Sequence, residues 1–249
     1  MLVYRDNPRI DFRTRVDWHE HQVLLKVAFP VAVRSTRATY EIQFGSVERP
    51  THWNTSWDWA RFEVPGHKWV DLSEGDYGVA ILNDCKYGHD VKGNLMRLTL
   101  IKSGINPDPT ADQGEHIFTY SLLPHAGDWR SAGVVEAAYE LNYPLLAAAL
   151  PAGQPGDLPE NLAFAEVDAR NVIVETLKQA EDGQGWIVRV YEAKQCRSSQ
   201  VRLKFARPLT AAVECNLVEE EERPVEWDEQ GIRFAIRPFE IKTFRVNFA

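Results

Sequence analysis

Apolar and polar side chains alternate with a period of two residues along much of this chain, and this pattern is typical of half-buried β-strands. Residues 23–29 (VLLKVAF) place four apolar side chains on one face of a strand. Residues 96–100 (MRLTL) and 115–123 (EHIFTYSLL) alternate in the same way. Clusters of glycine, proline, asparagine and aspartate separate these stretches, as in an all-β sandwich. The pattern therefore predicts a mainly β fold.

The candidate linker lies after the first set of strands. Residues 149–161 (ALPAGQPGDLPEN) contain three prolines and two glycines and have no apolar periodicity. Beyond them, short alternating segments continue to the carboxyl end, and roughly seven strands in this stretch would fit a small sandwich of immunoglobulin-like size. We therefore predict a first domain in residues 1–150, a linker in residues 151–161, and a small terminal β-sandwich in residues 162–249.

One short helix is predicted within the first domain. Residues 131–141 (SAGVVEAAYEL) place Val134, Val135, Ala138 and Leu141 at helical spacing, and Pro144 ends the pattern. Gly133 is an unfavourable residue inside a helix.

Charge and cysteine usage exclude several classes of partner. The chain of 249 residues has 36 acidic and 28 basic residues and a formal net charge of −8. This balance repels phosphate backbones and anionic lipid, so we expect neither a nucleic-acid nor a membrane partner. Three widely spaced cysteines do not form a disulfide framework, and the amino terminus has no signal-peptide pattern. The expected location is cytoplasmic.

The segment of residues 49–64 (RPTHWNTSWDWARFEV) carries Trp53, Trp57 and Trp59 among polar side chains. Aromatic faces beside fixed polar groups suit a carbohydrate, because sugars offer apolar C–H patches ringed by hydroxyls. The alternative is a strand whose bulky side chains lie in the core, and composition alone favours this alternative.

No self-sufficient active site can be assembled from the sequence. A P-loop, a GxGxxG fingerprint and a GxSxG elbow are all missing. His19 and His21 have a spacing that can hold a metal, but no third ligand is placed by sequence to complete a site. The most site-like elements are the polar loop that contains Asp84 and the irregular run of residues 104–116 (GINPDPTADQGEH).

Long stretches of the chain resemble the carboxyl-terminal region of family 38 glycoside hydrolases, which are retaining α-mannosidases. The similarity is closest to the cytosolic type that trims free oligosaccharides and to its bacterial relatives, and it runs from Arg9 to Leu146. The stretches that carry it are RVDWHEHQVLLKVAFPV (15–31), RPTHWNTSWDWARFEV (49–64), WVDLSEGDYGVAILNDCKYG (69–88), PDPTADQGEHIFTYSLLPH (107–125) and GVVEAAYELNYPLLA (133–147).

The resemblance implies a particular fold and a missing catalytic part. Residues 1–150 are expected to form a large β-supersandwich of the galactose-mutarotase-like type, followed by the small β-sandwich. Family members are several times longer, and their amino-terminal domain carries the divalent metal (zinc or cobalt), its ligands and the nucleophile. We therefore expect a terminal fragment that is inactive alone, with no catalytic residue, metal ligand or cofactor of its own.

The resemblance also suggests which residues face the substrate cleft of the parent enzyme. Loops of the β-domain help to wall that cleft in this family, and the candidates by position are Asn83, Asp84, Lys86, Tyr87, Asp112 and His116. The resemblance assigns a catalytic role to none of these residues. Within the family, the tryptophan-rich segment is expected to pack the sandwich against its neighbours, and sugar contact through Trp53, Trp57 and Trp59 is the alternative.

The function predicted from the resemblance is that of the carboxyl-terminal, non-catalytic region of an enzyme that hydrolyses terminal α-mannosides with retention. Its expected partners are the amino-terminal catalytic domain of the same protein and a mannose-containing oligosaccharide. An uncovered docking face, an apolar patch of roughly several hundred Å², would drive formation of a homo-oligomer. One alternative is an independent carbohydrate-binding β-sandwich module. A mutarotase-like epimerase is a third hypothesis, which rests on fold analogy alone.

Overall fold

The computed structural model describes residues 1–151, 153, 156–220 and 222–249. Its chain divides into two compact units, Met1–Leu146 and Ala147–Ala249, and both consist mainly of antiparallel β-strands. The prediction of a mainly β fold is therefore confirmed. The predicted linker of residues 151–161 falls partly outside the described residues, and its boundaries stay a prediction.

Unit 1 contains a seven-stranded and a four-stranded sheet, in the orders β1-β2-β11-β8-β7-β4-β5 and β3-β10-β9-β6. Within the described residues its strands are β1 (Leu2–Val3), β2 (Ile10–Trp18), β3 (Leu24–Pro30), β4 (Arg37–Ile42), β5 (Gly45–Pro50), β6 (Val64–Pro65), β7 (Trp69–Ser73), β8 (Tyr77–Asn83), β9 (Gly88–Lys92), β10 (Leu95–Lys102) and β11 (Gly114–Ala126).

The core of unit 1 is built from the facing sides of these two sheets. Tyr40, Leu72 and Ile81 from the larger sheet belong to the same buried cluster as Met96 and Leu98 from the smaller one. Of the four residues predicted to share the apolar face of the strand in residues 23–29, Leu25, Val27 and Phe29 are partly buried against the cluster, whereas Val23 precedes β3 and is 38% exposed. Period-two alternation in the sequence therefore correctly predicted which strand faces are buried.

Unit 1 also contains two helices in its described residues, rather than the single helix predicted. Helix α2 (Val134–Asn142) is the predicted one, and Gly133 is its N-cap residue, with a left-handed backbone (φ 74°) that glycine adopts without strain. Helix α1 (Ser56–Ala60) lies where composition favoured a strand with buried tryptophans. That prediction is wrong because a local hydrogen-bonding pattern, described below, begins a helix at Thr55.

Unit 2 is a smaller sandwich of a four-stranded sheet (β12-β15-β19-β18) and a five-stranded sheet (β13-β14-β20-β16-β17). Side chains of both sheets, such as Leu203 and Phe244, form one buried cluster. The described residues contain nine strands where about seven were predicted: β12 (Ala165–Val167), β13 (Val172–Gln179), β14 (Trp186–Glu192), β15 (Ser198–Phe205), β16 (Leu209–Cys215), β17 (Arg223–Pro224), β18 (Glu226–Asp228), β19 (Gly231–Ile236) and β20 (Ile241–Phe248).

Candidate functional site

Asn83 ends strand β8 and is completely buried. Its side-chain amide donates to the carbonyl of His67 at 2.7 Å, and its Oδ1 accepts from the backbone N–H of Lys86 at 2.6 Å. The backbone carbonyl of Asn83 accepts from Asn142 of helix α2 at 2.9 Å. Both polar ends of the amide are therefore occupied in shaping the loop of residues 83–87.

Two further side chains of this loop contact strand β11. The Oδ2 atom of Asp84 accepts from the backbone N–H of Thr119 at 2.9 Å, and the ammonium of Lys86 lies 4.5 Å from the centre of the Phe118 ring. The Oδ1 atom of Asp84 is buried without a hydrogen-bond partner in the described part of the chain. Tyr87 is exposed, with its ring edge against His67.

Asp112 and His116 form a separate group at the start of strand β11. The Nε2 atom of His116 is hydrogen-bonded to the backbone carbonyl of Asp112 at 2.8 Å, and Asp112 has a left-handed backbone (φ 60°). The carboxylate of Asp112 accepts from the backbone N–H of Lys102 at 3.3 Å. The six predicted cleft residues thus lie in two clusters along β11, each shaping its own loop.

The most exposed aromatic residues of the predicted site lie on and around helix α1. Trp57, Trp59 and Phe62 are 74%, 64% and 66% exposed. Trp53 is half-buried, its ring centre is 5.2 Å from that of Trp59, and the ammonium of Lys92 lies 3.9 Å from its ring centre. We refer to Trp53, Trp57, Trp59 and Phe62 as the aromatic knob. Its exposure contradicts the prediction that these tryptophans lie in the core.

The polar residues at the base of the aromatic knob hold its backbone in place. Thr55 and Asp58 form a capping box, in which each side chain accepts from the other residue's backbone N–H. Asp58 also accepts from the backbone of Asn54, and His52 lies 3.8 Å away. Desolvation acts to raise the pKa of Asp58, but these hydrogen bonds outweigh it and lower the pKa below its usual value.

A small pocket lies beside the knob and is lined by side chains that include Tyr40, Arg49, Trp53 and Asp90. Its volume of about 20 Å³ is room for one water molecule. The guanidinium of Arg49 lies 4.5 Å from the centre of the Tyr40 ring and donates to the carbonyl of Pro65. Burial lowers the pKa of Arg49, Tyr40 opposes this shift, and the charge of Arg61 lowers it further.

Two buried histidines were not singled out as sites from the sequence. His89 in β9 has no hydrogen-bond partner for either ring nitrogen within the described ranges, and burial lowers its pKa to about 3. His125 in β11 is paired with Asp71 at 2.7 Å. Burial acts to lower the pKa of His125, but the hydrogen bond and charge of Asp71 outweigh it and raise the pKa above its usual value. Both side chains are enclosed in unit 1 and away from solvent.

The described residues contain no group of three or more histidine, cysteine, aspartate or glutamate side chains placed to hold a metal ion. His19 is exposed and lies 2.9 Å from Asp17. None of the helices in the described ranges is both long enough and apolar enough to cross a membrane.

These observations define the chain as a protein of two β-sandwich units. Most of its candidate site residues form hydrogen bonds or ring contacts that shape their own loops. Comparison with known protein families then identifies the family. Residues 1–110 match the glycosyl hydrolases family 38 C-terminal domain, and residues 171–244 match the glycosyl hydrolases family 38 C-terminal beta sandwich domain. The chain therefore belongs to the carboxyl-terminal domains of glycosyl hydrolase family 38, as the resemblance in its sequence predicted.

Two of the curated relatives are α-mannosidases that are much longer than this chain. Alpha-mannosidase 2C1 of Homo sapiens is 50% identical over 217 residues, which is 85% of this chain and 20% of that protein. Alpha-mannosidase G of Dictyostelium discoideum is 43% identical over 250 residues, which is 98% of this chain and 23% of the relative. The chain thus spans about a fifth to a quarter of the length of these relatives.

A solved structure shows the same fold. The crystal structure of an alpha-mannosidase from Enterococcus faecalis V583 superposes with a TM-score of 0.81 and 21% sequence identity. The match covers 98% of this chain and 28% of that one. At this identity, the likeness supports the fold alone.

Proposed function

We propose that this chain is the non-catalytic carboxyl-terminal β region of an α-mannosidase that hydrolyses terminal α-mannosides with retention. The observation that carries the proposal is the pair of family matches, which follow one another along the chain and together account for most of both units. The partners in this proposal are the amino-terminal catalytic domain of the same protein and a mannose-containing oligosaccharide.

In the proposed parent enzyme the bond-breaking groups lie outside this chain. Retaining glycosidases use one carboxylate as nucleophile and a second carboxyl group as acid and then base. A divalent metal, zinc or cobalt, would polarise and orient sugar hydroxyls in such an enzyme. The described residues of this chain do not offer a ligand set that fits a metal, so no step through it is assigned to them.

The contribution that we propose for this chain is to wall the substrate cleft. Of the six candidates, Asn83 has both amide ends occupied within its loop, while Tyr87 presents an exposed ring at the same loop. Tyr87 is therefore the side chain best placed to contact an oligosaccharide. Replacement of Tyr87 by alanine in the complete enzyme should raise KM for an oligosaccharide more than KM for a small aryl α-mannoside.

The proposal as a whole is tested by activity. The 249-residue chain should release no aryl leaving group from an aryl α-mannoside, with or without added Zn²⁺ or Co²⁺. The complete polypeptide that contains this region should hydrolyse the same substrate. Turnover by the isolated chain above the level of a mock purification would refute the non-catalytic role, and an inactive complete polypeptide would refute the mannosidase assignment.

We propose in addition that the location is cytoplasmic. Cys85 is an exposed free thiol in the described structure. Exposed unpaired cysteines persist most readily in a reducing compartment.

The exposure of Trp57 and Trp59 is the one observation that favours the alternative function, an independent carbohydrate-binding module. Titration of the chain with mannose oligomers, followed by tryptophan fluorescence, separates the two functions. A saturable change that is lost in the Trp57→Ala variant would support the alternative.

A further inference from the structure

The aromatic knob exposes more apolar surface than a short surface segment normally does. Three large aromatic side chains, Trp57, Trp59 and Phe62, lie within six residues of one another and are each about two-thirds exposed or more. Single exposed apolar residues scattered over a surface are common on proteins, whereas a group of large ones in one short segment points to an interaction site. The knob therefore needs an explanation beyond the folding of unit 1.

The knob is also preformed. Helix α1 begins with a complete capping box between Thr55 and Asp58, and Trp53 contacts both Trp59 and the ammonium of Lys92. A surface that is already ordered loses less conformational entropy when it binds. The knob thus has the rigidity of a binding element.

The geometry of the knob argues against a sugar ring as its occupant. Trp57 and Trp59 are two residues apart on a helix, so their side chains leave the axis about 200° apart and do not form one platform. Asp58, the carboxylate between them, is engaged in the cap, and the adjacent pocket holds about one water molecule. Few hydrogen-bond acceptors at the knob therefore remain available to bind sugar hydroxyls.

The charge around the knob argues against a second copy of this chain. Arg49 and Arg61 line the pocket beside the knob, and Lys92 contacts Trp53. The two nearby carboxylates are already engaged, Asp58 in the helix cap and Asp90 in ion pairs with Lys26 and Arg97. Two such patches would repel each other when brought face to face. An apolar groove with carboxylates at its rim would instead be complementary to the aromatic knob and the basic side chains beside it.

We propose that the aromatic knob inserts into an apolar, acid-rimmed groove on the remainder of the parent α-mannosidase chain. This inference rests on the proposed function. It is supported by the length of the relatives, because this chain covers only 20–23% of the two curated α-mannosidases described above, so most of their surface belongs to other parts of the polypeptide. Tryptophan and arginine are also the residues that dominate binding energy at interfaces.

The test compares the isolated chain with the complete enzyme. Hydrogen exchange of the backbone amides in residues 51–63 should be at least about tenfold slower in the complete enzyme, which corresponds to ~1.4 kcal/mol of protection. The double substitution Trp57→Ser/Trp59→Ser should remove this protection in the complete enzyme. In the isolated chain it should leave the unfolding midpoint unchanged, because both side chains are exposed there.

A matched control is Ile117→Ser on strand β11, whose side chain is 72% exposed and lies outside the knob. It should leave the exchange of residues 51–63 unaltered in the complete enzyme. Equal exchange in the chain and the enzyme, or an equal effect of the control, would overturn the proposal. So would sugar binding or dimerisation of the isolated chain that the double substitution abolishes.

Activity of the complete enzyme keeps the two proposals apart. If the complete wild-type enzyme hydrolyses an aryl α-mannoside while residues 51–63 exchange freely, the proposed function stands and the docking surface is wrong. If it has no such activity, the proposed function itself fails.

Discussion

At the scale of single residues, unit 1 contains two buried histidines whose ionisation is shifted in opposite directions. Burial lowers the pKa of His89 to about 3, whereas the hydrogen bond and charge of Asp71 outweigh burial and raise the pKa of His125. An unperturbed histidine titrates near 6.5. The two residues should therefore make opposite contributions to the pH dependence of stability.

His89 should make the protein sensitive to acid. Because its folded pKa lies below the unfolded value, its contribution is complete above pH ~6.5 and is lost as the pH falls toward about 3. The free energy of unfolding should fall in this window by up to ~1.4 kcal/mol per pH unit for this group. The His89→Leu variant should show a shallower fall, measured by urea unfolding between pH 4 and 7. The exposed His21→Leu substitution is the control, and parallel curves for His89→Leu and wild type would contradict the prediction.

His125 should have the opposite effect. Its folded pKa is raised, so its contribution is complete below pH ~6.5 and is lost as the pH rises through the folded pKa. At pH 6, His125→Leu should cost about 3–5 kcal/mol, because it leaves the buried carboxylate of Asp71 without its partner. The cost should shrink at higher pH in urea unfolding experiments.

A double-mutant cycle provides the control for this pair. The combined His125→Leu/Asp71→Leu variant should be destabilised by less than the sum of the single variants, because no unpaired charge remains. Additive losses would show that the pairing of His125 with Asp71 does not contribute to stability.

At the scale of elements, helix α1 shows how a local hydrogen-bonding pattern can override composition. The residues Thr55-Ser56-Trp57-Asp58 fit the sequence pattern of a capping box, in which an acidic residue follows a threonine by three positions. The aromatic content of the segment favoured a strand. The cap stabilises a helix of only five residues and leaves its tryptophans exposed.

Removal of the cap should loosen helix α1 locally. Thr55→Ala removes the side-chain acceptor of the Asp58 N–H, and loss of a threonine N-cap costs about 1 kcal/mol. Hydrogen exchange of the amides in residues 56–61 should become about fivefold faster, since 1 kcal/mol corresponds to that factor. Ser56→Ala, one position further along and outside the cap, should leave these rates unchanged. If the exchange rates of the Thr55→Ala variant equal those of the wild type, the capping box is not needed to stabilise helix α1.

At the scale of the whole molecule, each unit has a buried cluster of its own. The cluster in unit 1 joins the seven-stranded and four-stranded sheets, and the cluster in unit 2 joins the four-stranded and five-stranded sheets. Phe234 and Phe244 lie within the second cluster, with ring centres 4.9 Å apart. Stability of the small unit should depend on such contacts, because a domain of this size buries a limited core.

Phe244→Ala should destabilise unit 2 by about 3–5 kcal/mol, because the substitution leaves a cavity in a closely packed core. The loss should be seen as faster hydrogen exchange of the amides in strands β14 and β20. Phe239→Ala, at a phenylalanine of the same unit that is 41% exposed, is the matched control and should change these rates much less. Similar effects of the two substitutions would contradict a central role for Phe244.

Sequence alone determined the strand faces, the position of helix α2 and the family of the chain. Strand alternation is a local property, because successive side chains of an extended backbone point to opposite sides whatever lies beyond them. Helical spacing is local too, and residues 133–147 carry both the spacing that predicted α2 and part of the family resemblance. The predicted cleft wall and domain boundaries stay predictions.

Only the tertiary structure decided which polar side chains are enclosed and which aromatic ones are exposed. The side-chain amide of Asn83 donates to a carbonyl 16 residues away, its backbone carbonyl accepts from Asn142 59 residues away, and His125 pairs with Asp71 across 54 residues. No periodicity reports such pairings, because they depend on which distant strands lie side by side. The exposure of Trp57 and Trp59 was likewise decided by tertiary structure, because no residue of helix α1 is buried.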